Sequence, residues 1–380
     1  MFPPSEQTFI AFQQRPTSAH VSLGSLRHNL QAIQSFVGTA KVMAVVKANG
    51  YGHGFDAVAR ELESAGAHSL GVAYIEEALE LRRIGIKIPV LVFGGLLKEQ
   101  LELYIRHDID VTASSVTKMA QIEEAAGRLG RRARVHLKID TGLERIGVHY
   151  YSSPSLFDEA LRAKHCDIVG VYSHFADVRP EDLSLARLQL ERFLNSLRYY
   201  EERAQAPFLR HIAASGGIMA LTDSHLDLVR PGIALYGVYP APGFEPVLSI
   251  RPVLKLKSQV VYFKVVKKGA GVSYGHQWAA PQDTRVVTIP IGYGDGYLRA
   301  LSGSDVLIRG SRRPIVGAIC MDQLMVNIGQ GEAFNGDEVI LVGEQGQDRV
   351  SVEELAKRSG VSPYEILVTL NQRVPRVFSA

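Results

Sequence analysis

The stretch AVVKANGYGHG, residues 44–54, sets Lys47 directly after an apolar run and follows it with three glycines, Tyr51 and a histidine. In a partly dry pocket a lysine loses basicity, and its neutral amine can then condense with an aldehyde or move a proton. Other polar side chains close later apolar runs. Lys138 sits in HLKID with Arg145 just beyond, His174 in VYSHF, Ser215 in AASGG, and Arg230 with Gly232 in VRPGI. Taken singly, a lysine at a run end is usually a solvated terminus and a histidine there usually a hydrogen-bonded core residue. Their weight comes from the elements that would bring them together.

Those elements repeat. KVMAVVK (41–47), SLGVAY (69–74), IPVLVFG (88–94), DIDVTA (108–113), ARVHLKID (133–140), CDIVGVYSHF (166–175), FLRHIAAS (208–215) and LDLVRPGIALYG (226–237) read as eight strands, separated by stretches with apolar residues at helical spacing. Alternation of this kind predicts an α/β fold, a TIM (β/α)8 barrel over residues 12–243. After the turn-rich YPAPGFEP (239–246) the long helices vanish. PVLKLKSQVVYFKVV, RVVTIPIG, DVLIRG, RPIVGAIC, LMVNIG and DEVILVG predict a mostly antiparallel β domain over 244–380, with two short helices in VSVEELAKRSG and PYEILVTLN.

A TIM barrel gathers its chemistry at the C-terminal ends of its strands. Lys47 would follow strand one, Lys138 and Arg145 strand five, His174 strand six, Ser215 strand seven, and Arg230 with Gly232 strand eight. ASGG and RPGI place small residues and a hydroxyl after strands seven and eight, the usual phosphate position of such barrels. A phosphate site opposite a lysine points to pyridoxal phosphate, the phosphorylated aldehyde for which proteins commonly reserve a lysine. Tyr51 would add a hydroxyl within reach of that phosphate.

Bulk composition excludes several classes. The 380 residues are 46% hydrophobic and 21% charged, with a formal net charge of +3, which is ordinary globular composition. No apolar run approaches the length of a membrane span. The opening residues MFPPSEQTFIAFQQRP lack a basic leader followed by an apolar segment, so a cytoplasmic location is expected. Cys166 and Cys320 alone make no disulfide framework, and Cys166 beside His165 lacks a second ligand pair, so no metal is expected. KVVKK and RGSRR are basic clusters without a nucleic-acid motif, and no nucleic-acid partner is expected. GYGDG follows a β-domain strand and opens no helix, so it is a turn and not a dinucleotide loop.

VVKANGYGHG, HLKIDTGLERIG, RPGIALYG, VSYGHQW, IGYGDGY and ICMDQ, in this order and spacing, resemble the alanine racemases, from about residue 17 to Arg376. The resemblance implies a pyridoxal-phosphate enzyme that removes the Cα proton of an amino acid on one face and returns one on the other. Lys47 would hold the cofactor and work the proton on the D side. Tyr274, reaching across from the other subunit of a homodimer, would work on the L side. A free phenol has a pKa of about 10, so Tyr274 needs polar neighbours, and His174 linked to Arg230 fills that position. Arg230 cannot give up its proton, so it would donate to the ring nitrogen, leave the cofactor a weaker electron sink and suppress transamination. Arg145 and the backbone of Met321 would meet the substrate carboxylate. Tyr51, Ser215, Gly232, Ile233 and Tyr364 would hold the phosphate. Lys138 matches a lysine that is often carbamylated, which would orient Arg145. Tyr293 and Arg299 would line the entrance channel.

Two positions depart from many relatives: Ala214 stands in place of an asparagine, and Ala318 in place of an outer-channel arginine. The second leaves substrate range open, so a serine or broad-spectrum racemase is the nearest alternative, and D-alanine for cell-wall synthesis the leading product. A decarboxylase on the same architecture would need cysteine-aspartate and histidine-glycine-serine motifs that this sequence lacks. A non-catalytic pyridoxal phosphate carrier would resemble the barrel half alone.

Overall fold

The computed structural model describes residues 14–204, 206–244 and 247–380. By internal contacts the chain divides into two units: residues 26–50 with 55–251, and residues 14–25 and 51–54 with 252–380.

The first unit is built on eight parallel strands: β1 (Lys41–Val45), β2 (Ser69–Val72), β3 (Val90–Val92), β4 (Val111–Ala113), β5 (Ala133–Asp140), β6 (Cys166–Tyr172), β7 (Leu209–His211) and β8 (Leu228–Val229). Strands β8-β1-β2-β3 form one arc and β4-β5-β6-β7 another. Parallel bridges close both seams, Leu91 with Asp110 and Ala214 with Arg230. The Asp110 amide donates to Val90 O at 2.8 Å and the Arg230 amide to Ala213 O at 2.9 Å. A ring of eight parallel strands with intervening helices is the TIM barrel that the repeat predicts. Residues of β1 to β4 are buried on both faces, apart from Lys41 at the start of β1, which is why they read as continuous apolar runs and do not alternate.

Local sequence sets the helices. Val116–Leu129 starts on Ser115, whose side chain accepts the Lys118 amide, and ends on Gly130 at φ 60°, a left-handed position that glycine occupies without steric penalty. It buries Met119, Ile122, Ala125 and Ala126, one face at three- and four-residue spacing. The helix Leu23–Val37 buries Asn29, whose amide donates to Leu235 O at 2.9 Å and Arg251 O at 2.8 Å and accepts the Arg251 N–H at 2.7 Å.

In the second unit one sheet runs in the order Ser311–Pro314, Asp305–Ile308, Glu338–Gln345, Leu254–Gln259, Ser18–Ser22, Arg376–Ser379, with Asp348–Val350 folded back on Glu338–Gln345. Only the Ser18–Ser22 and Arg376–Ser379 pair is parallel. Tyr262–Val266, Thr284–Ile289 and Leu324–Gly329 make a second antiparallel sheet. The two expected short helices are Val352–Ser359 and Pro363–Val368.

The division differs from the expected 12–243 and 244–380; residues 12 and 13 lie outside the described residues, as do 245 and 246 of the expected boundary turn. Strand Ser18–Ser22 leaves the barrel because it pairs with Leu254–Lys257 and with the C-terminal strand. Residues 247–251 stay with the barrel, where Asn29 ties down the Arg251 backbone. PVLKLKSQVVYFKVV, read as one segment, breaks into two strands of different sheets. RPIVGAIC is a strand only to Pro314; Gly317 turns at φ 69° and the rest is loop.

Asn29→Ala would remove the side-chain partner of the buried Leu235 carbonyl and of the part-buried Arg251 N–H and C=O. It should lower the stability of the barrel by about 1–3 kcal/mol, measured as a reduced urea midpoint in far-ultraviolet dichroism.

Candidate active site

Lys47 follows β1 across Val46 and opens a turn, Lys47–Tyr51, of unusual hand. Ala48, Asn49, Gly50 and Tyr51 have φ of 53°, 58°, 59° and 51°. Each non-glycine residue in this region costs on the order of 1–2 kcal/mol, so something must hold it. Glu77 does: one carboxylate oxygen accepts the Ala48 N–H at 2.7 Å and the other the Ala73 N–H at 2.8 Å. Asn49 accepts the Phe55 N–H at 2.9 Å. The Lys47 ammonium is destabilised by burial and by the charge of Arg145, partly offset by Glu77, and its pKa falls below the ordinary lysine value.

A similar carboxylate device presents Arg145. Asp140, the last residue of β5, accepts the amides of Gly142 (2.8 Å), Leu143 (3.0 Å), Glu144 (3.2 Å) and Arg145 (3.2 Å). Burial raises its pKa, but the amide bonds from Gly142, Glu144 and Leu143 together with the Lys138 charge outweigh it and hold the carboxyl below its usual value. Lys138, inside β5, is buried and donates to Ile139 O at 3.2 Å. Burial first, then Arg230, pull its pKa down to about 7.

Arg230, 3% exposed, donates from Nη1 to His211 Nδ1 (2.8 Å) and from Nη2 to Ser173 O (2.8 Å), Ile212 O (3.0 Å) and His174 Nδ1 (3.2 Å). Its Nε makes no hydrogen bond among the described residues. A guanidinium only donates, so Nδ1 of His174 must accept, and its remaining proton sits on Nε2. Burial and the Arg230 charge keep this ring neutral, its pKa well below the usual value. Ser215 Oγ accepts the amides of Gly232 (3.1 Å) and Ala234 (3.3 Å), tying the loop after β7 to the loop after β8 beside buried Ile233.

The barrel unit thus brings Lys47, Lys138, Arg145, His174, Arg230, Ser215, Gly232 and Ile233 to the C-terminal ends of its strands. The other sequence candidates fall in the second unit. Tyr51 and Tyr364 approach with ring centroids 6.1 Å apart, and burial raises both phenol pKa values, that of Tyr364 to about 12; both stay protonated donors. Tyr274 is 75% exposed and makes no hydrogen bond among the described residues, yet its backbone is pinned. Ser273, at φ 64°, donates to Ala318 O at 2.6 Å. The same loop continues to Met321, whose carbonyl accepts the Gly294 amide at 2.8 Å, next to Tyr293, whose amide donates to Cys320 O at 3.1 Å. Arg299 lies over the Tyr293 ring at 5.9 Å.

Sequence reasoning missed Glu77 and Asp140. Both work through backbone amides, and an acidic residue in a first helical turn or after a strand reads as an ordinary cap. Because their oxygens are spent this way, the cations Lys47, Lys138, Arg145 and Arg230 outnumber the carboxylates available to them. Such a set is complementary to an anion carrying phosphate or carboxylate groups, and the unspent Arg230 Nε suits an acceptor such as a pyridine nitrogen. The donor set fits pyridoxal phosphate.

A closed parallel barrel with a lysine among cations at its strand ends belongs to the class of barrels that carry an anion site at the C-terminal ends of their strands. The particular family follows from comparison. The family described as "Alanine racemase, N-terminal domain" matches residues 21–240 and "Alanine racemase, C-terminal domain" residues 253–378, and the chain belongs to the alanine racemase family. It is 40% identical to "Alanine racemase 2" of Caldanaerobacter subterraneus subsp. tengcongensis over 368 residues, 96% of this chain and 95% of that one. Among solved structures, the alanine racemase of D-cycloserine-producing Streptomyces lavendulae has a TM-score of 0.93 at 36% identity, covering 96% of this chain and 97% of its own. The histidine racemase of Leuconostoc mesenteroides subsp. sake has 0.85 at 27%, covering 97% and 99%.

Glu77→Ala should loosen the Lys47 turn and lower the kcat for alanine racemisation about 10- to 100-fold, the penalty of a small misplacement. Glu77→Gln, which keeps one acceptor oxygen, should lose less. Polarimetric assays of both variants check this; wild-type rates for Glu77→Ala would mean the turn holds itself.

Proposed function

We propose that the chain interconverts L- and D-alanine with pyridoxal phosphate and two proton-transferring groups, Lys47 and the Tyr274 of a second copy in a homodimer. The observation that carries this reading is the placing of half-buried Lys47 at the same strand ends as exposed Arg145 and the buried cations Lys138 and Arg230. Alanine racemases use pyridoxal phosphate. When bound, it makes an aldehyde available to the Lys47 amine and draws electron density from the Cα–H bond of an attached amino acid.

Lys47, neutral at a lower pH than a free lysine, takes or returns the Cα proton on the D side. Tyr274 does so on the L side, its phenolate stabilised by the Nε2–H of His174. Arg230, which cannot lose its own proton, would offer Nε–H as a donor to the cofactor's ring nitrogen and have no proton to give it. Tyr51, Ser215, Gly232, Ile233 and Tyr364 are the proposed phosphate ligands. Arg145 and the Met321 amide receive the substrate carboxylate, and Tyr293 with Arg299 line the approach. A homodimer with shared sites, in the cytoplasm, supplying D-alanine for cell-wall synthesis, completes the proposal. Ala318, whose carbonyl is held by Ser273, leaves the outer channel without an arginine, which favours testing larger side chains.

Lys138 is the proposed carbamylation site. Its neutral amine attacks carbon dioxide and releases one proton, and the resulting anion turns a repulsive neighbour of Arg145 into an attractive one. Only the deprotonated amine reacts. With a pKa of about 7, the carbamate should form at pH 8 and diminish as pH falls through 7. Nuclear magnetic resonance with carbon-13-labelled bicarbonate reads this directly, and a Lys138→Ala variant should lack the signal.

Incubation with L-alanine in deuterated water should give D-alanine carrying deuterium at Cα, with Lys47→Ala and Tyr274→Phe each losing racemisation in both directions, since a catalyst cannot abolish one direction of an equilibrium alone. An amine with carbon dioxide would indicate a decarboxylase, and no reaction a carrier; either result overturns the reading. Serine and histidine in the same assay define substrate range. Arg230→Glu should raise keto-acid formation by transamination relative to racemisation, and unchanged partitioning would count against the role given to Arg230.

A further inference from the structure

Arg230 rests on a line of buried polar side chains that continues through the barrel interior well past the proposed site. Its Nη1 meets His211 Nδ1 at 2.8 Å. His211 Nε2 lies 3.0 Å from His136 Nδ1, His136 Nε2 lies 3.4 Å from Asp110 Oδ2, and Asp110 is gripped by Arg134 at 2.7 and 3.2 Å. Asp110, His136 and His211 are each at most 2% exposed. Polar groups this deep are normally tolerated only when fully paired.

The chemistry at the two ends dictates the protons between. Arg230 can only donate, so His211 Nδ1 accepts and its proton is on Nε2. That N–H faces His136 Nδ1, which must therefore accept, leaving the His136 proton on Nε2 toward the Asp110 carboxylate. A doubly protonated His136 would set two N–H groups against each other, so both rings are neutral and every bond points from Arg230 to Asp110. The packing is built for it. Tyr172 stacks on His211 at 4.9 Å with a 4° interplanar angle, and its hydroxyl is 2.9 Å from Thr112. A Cβ at Gly170 on β6 would collide with His136 Nδ1, so a glycine there makes room for the ring.

We propose that Asp110 and His136 are positioning residues for Arg230: by fixing one tautomer in each imidazole they keep an acceptor under Nη1 and hold the guanidinium with Nε unspent. Without Asp110, His136 is free to place its proton on Nδ1. His211 must then move its own proton to Nδ1, where it opposes the Arg230 N–H. The proposal deepens the functional reading, because the orientation of Arg230 matters through the ring nitrogen it would face, but the tautomers themselves are independent of any cofactor.

Histidine labelled with nitrogen-15 in the full-length protein, read by two-bond proton–nitrogen correlation, tests it. Wild-type protein should show both His136 and His211 neutral and protonated at Nε2; an Nδ1 proton on either ring overturns the proposal whatever the enzyme catalyses. Asp110→Ala should mix the tautomers of both rings, lower racemisation kcat about 10- to 100-fold, as loss of an outer partner typically does, leave KM within roughly threefold and raise keto-acid formation. Asp110→Asn, which retains an oxygen for His136, should restore the wild-type tautomers and most of kcat. Unaltered tautomers in Asp110→Ala, or a loss that Asp110→Asn does not recover, overturns the positioning role. If Asp110→Ala does not fold, the wild-type spectrum and Asp110→Asn still decide. Expected tautomers in a protein that fails to racemise any amino acid would support this assignment and count against the functional reading alone.

Discussion

Burying a guanidinium that cannot shed its proton constrains everything near it. Arg230 is 3% exposed, and burial lowers its pKa only to about 10, so it stays a cation at neutral pH. Its donors must find acceptors, and the acceptors come from backbone carbonyls at the ends of β6 and β7 and from two neutral imidazoles. No carboxylate pairs with it among the described residues. A buried ion pair would have neutralised the site and removed its attraction for anions; neutral acceptors satisfy the hydrogen bonds and leave the charge in force. Burial first, and the Arg230 charge after it, lower the pKa of Lys138 and His174.

The carboxylates of the barrel mouth complement this arrangement by being used elsewhere. Glu77 and Asp140 spend their oxygens on main-chain amides, shaping the turns that carry Lys47 and Arg145. They still offset part of the positive charge, Glu77 at Lys47 and Asp140 at Lys138, but they form no ion pair with either lysine among the described residues. The left-handed turn after Lys47 fits this logic: backbone strain there is sustained by hydrogen bonds to Glu77 and Asn49, so the lysine is set by covalent geometry and needs no partner of its own for orientation.

Much of this was legible in the sequence, for identifiable reasons. β1 to β4 appear as apolar runs because, Lys41 aside, they are buried on both faces, and polar residues at the ends of such runs, Lys47, His174, Ser215 and Arg230 among them, stand out as candidates. His136 and Asp110 were not, because within HLKID and DIDVTA they occupy positions where a buried polar residue leaves no periodic mark. Glu77 and Asp140 bond to backbone, which has no sequence identity to read. The unit boundaries were misjudged at Ser18–Ser22 because strand pairing is non-local: nothing near residue 18 signals that its partners lie at 254–257 and 376–379.

The second unit poses the opposite problem to Arg230. The Tyr274 backbone is specified closely, with Ser273 held at a left-handed φ by its bond to Ala318 O and with Gly317, where a Cβ would strike Val272 O, allowing the two loops to touch. The phenol itself is three-quarters exposed. A chain does not usually fix the main chain of an aromatic residue so tightly in order to leave its side chain in water, since exposed tyrosines sit as readily on unconstrained loops. Presenting the phenol from a constrained turn leaves little further ordering to be done when anything meets it. The loop that Ser273 contacts through Ala318 O also carries Met321, so within this unit the two candidates are held near each other by one side-chain bond and the turn at Gly317.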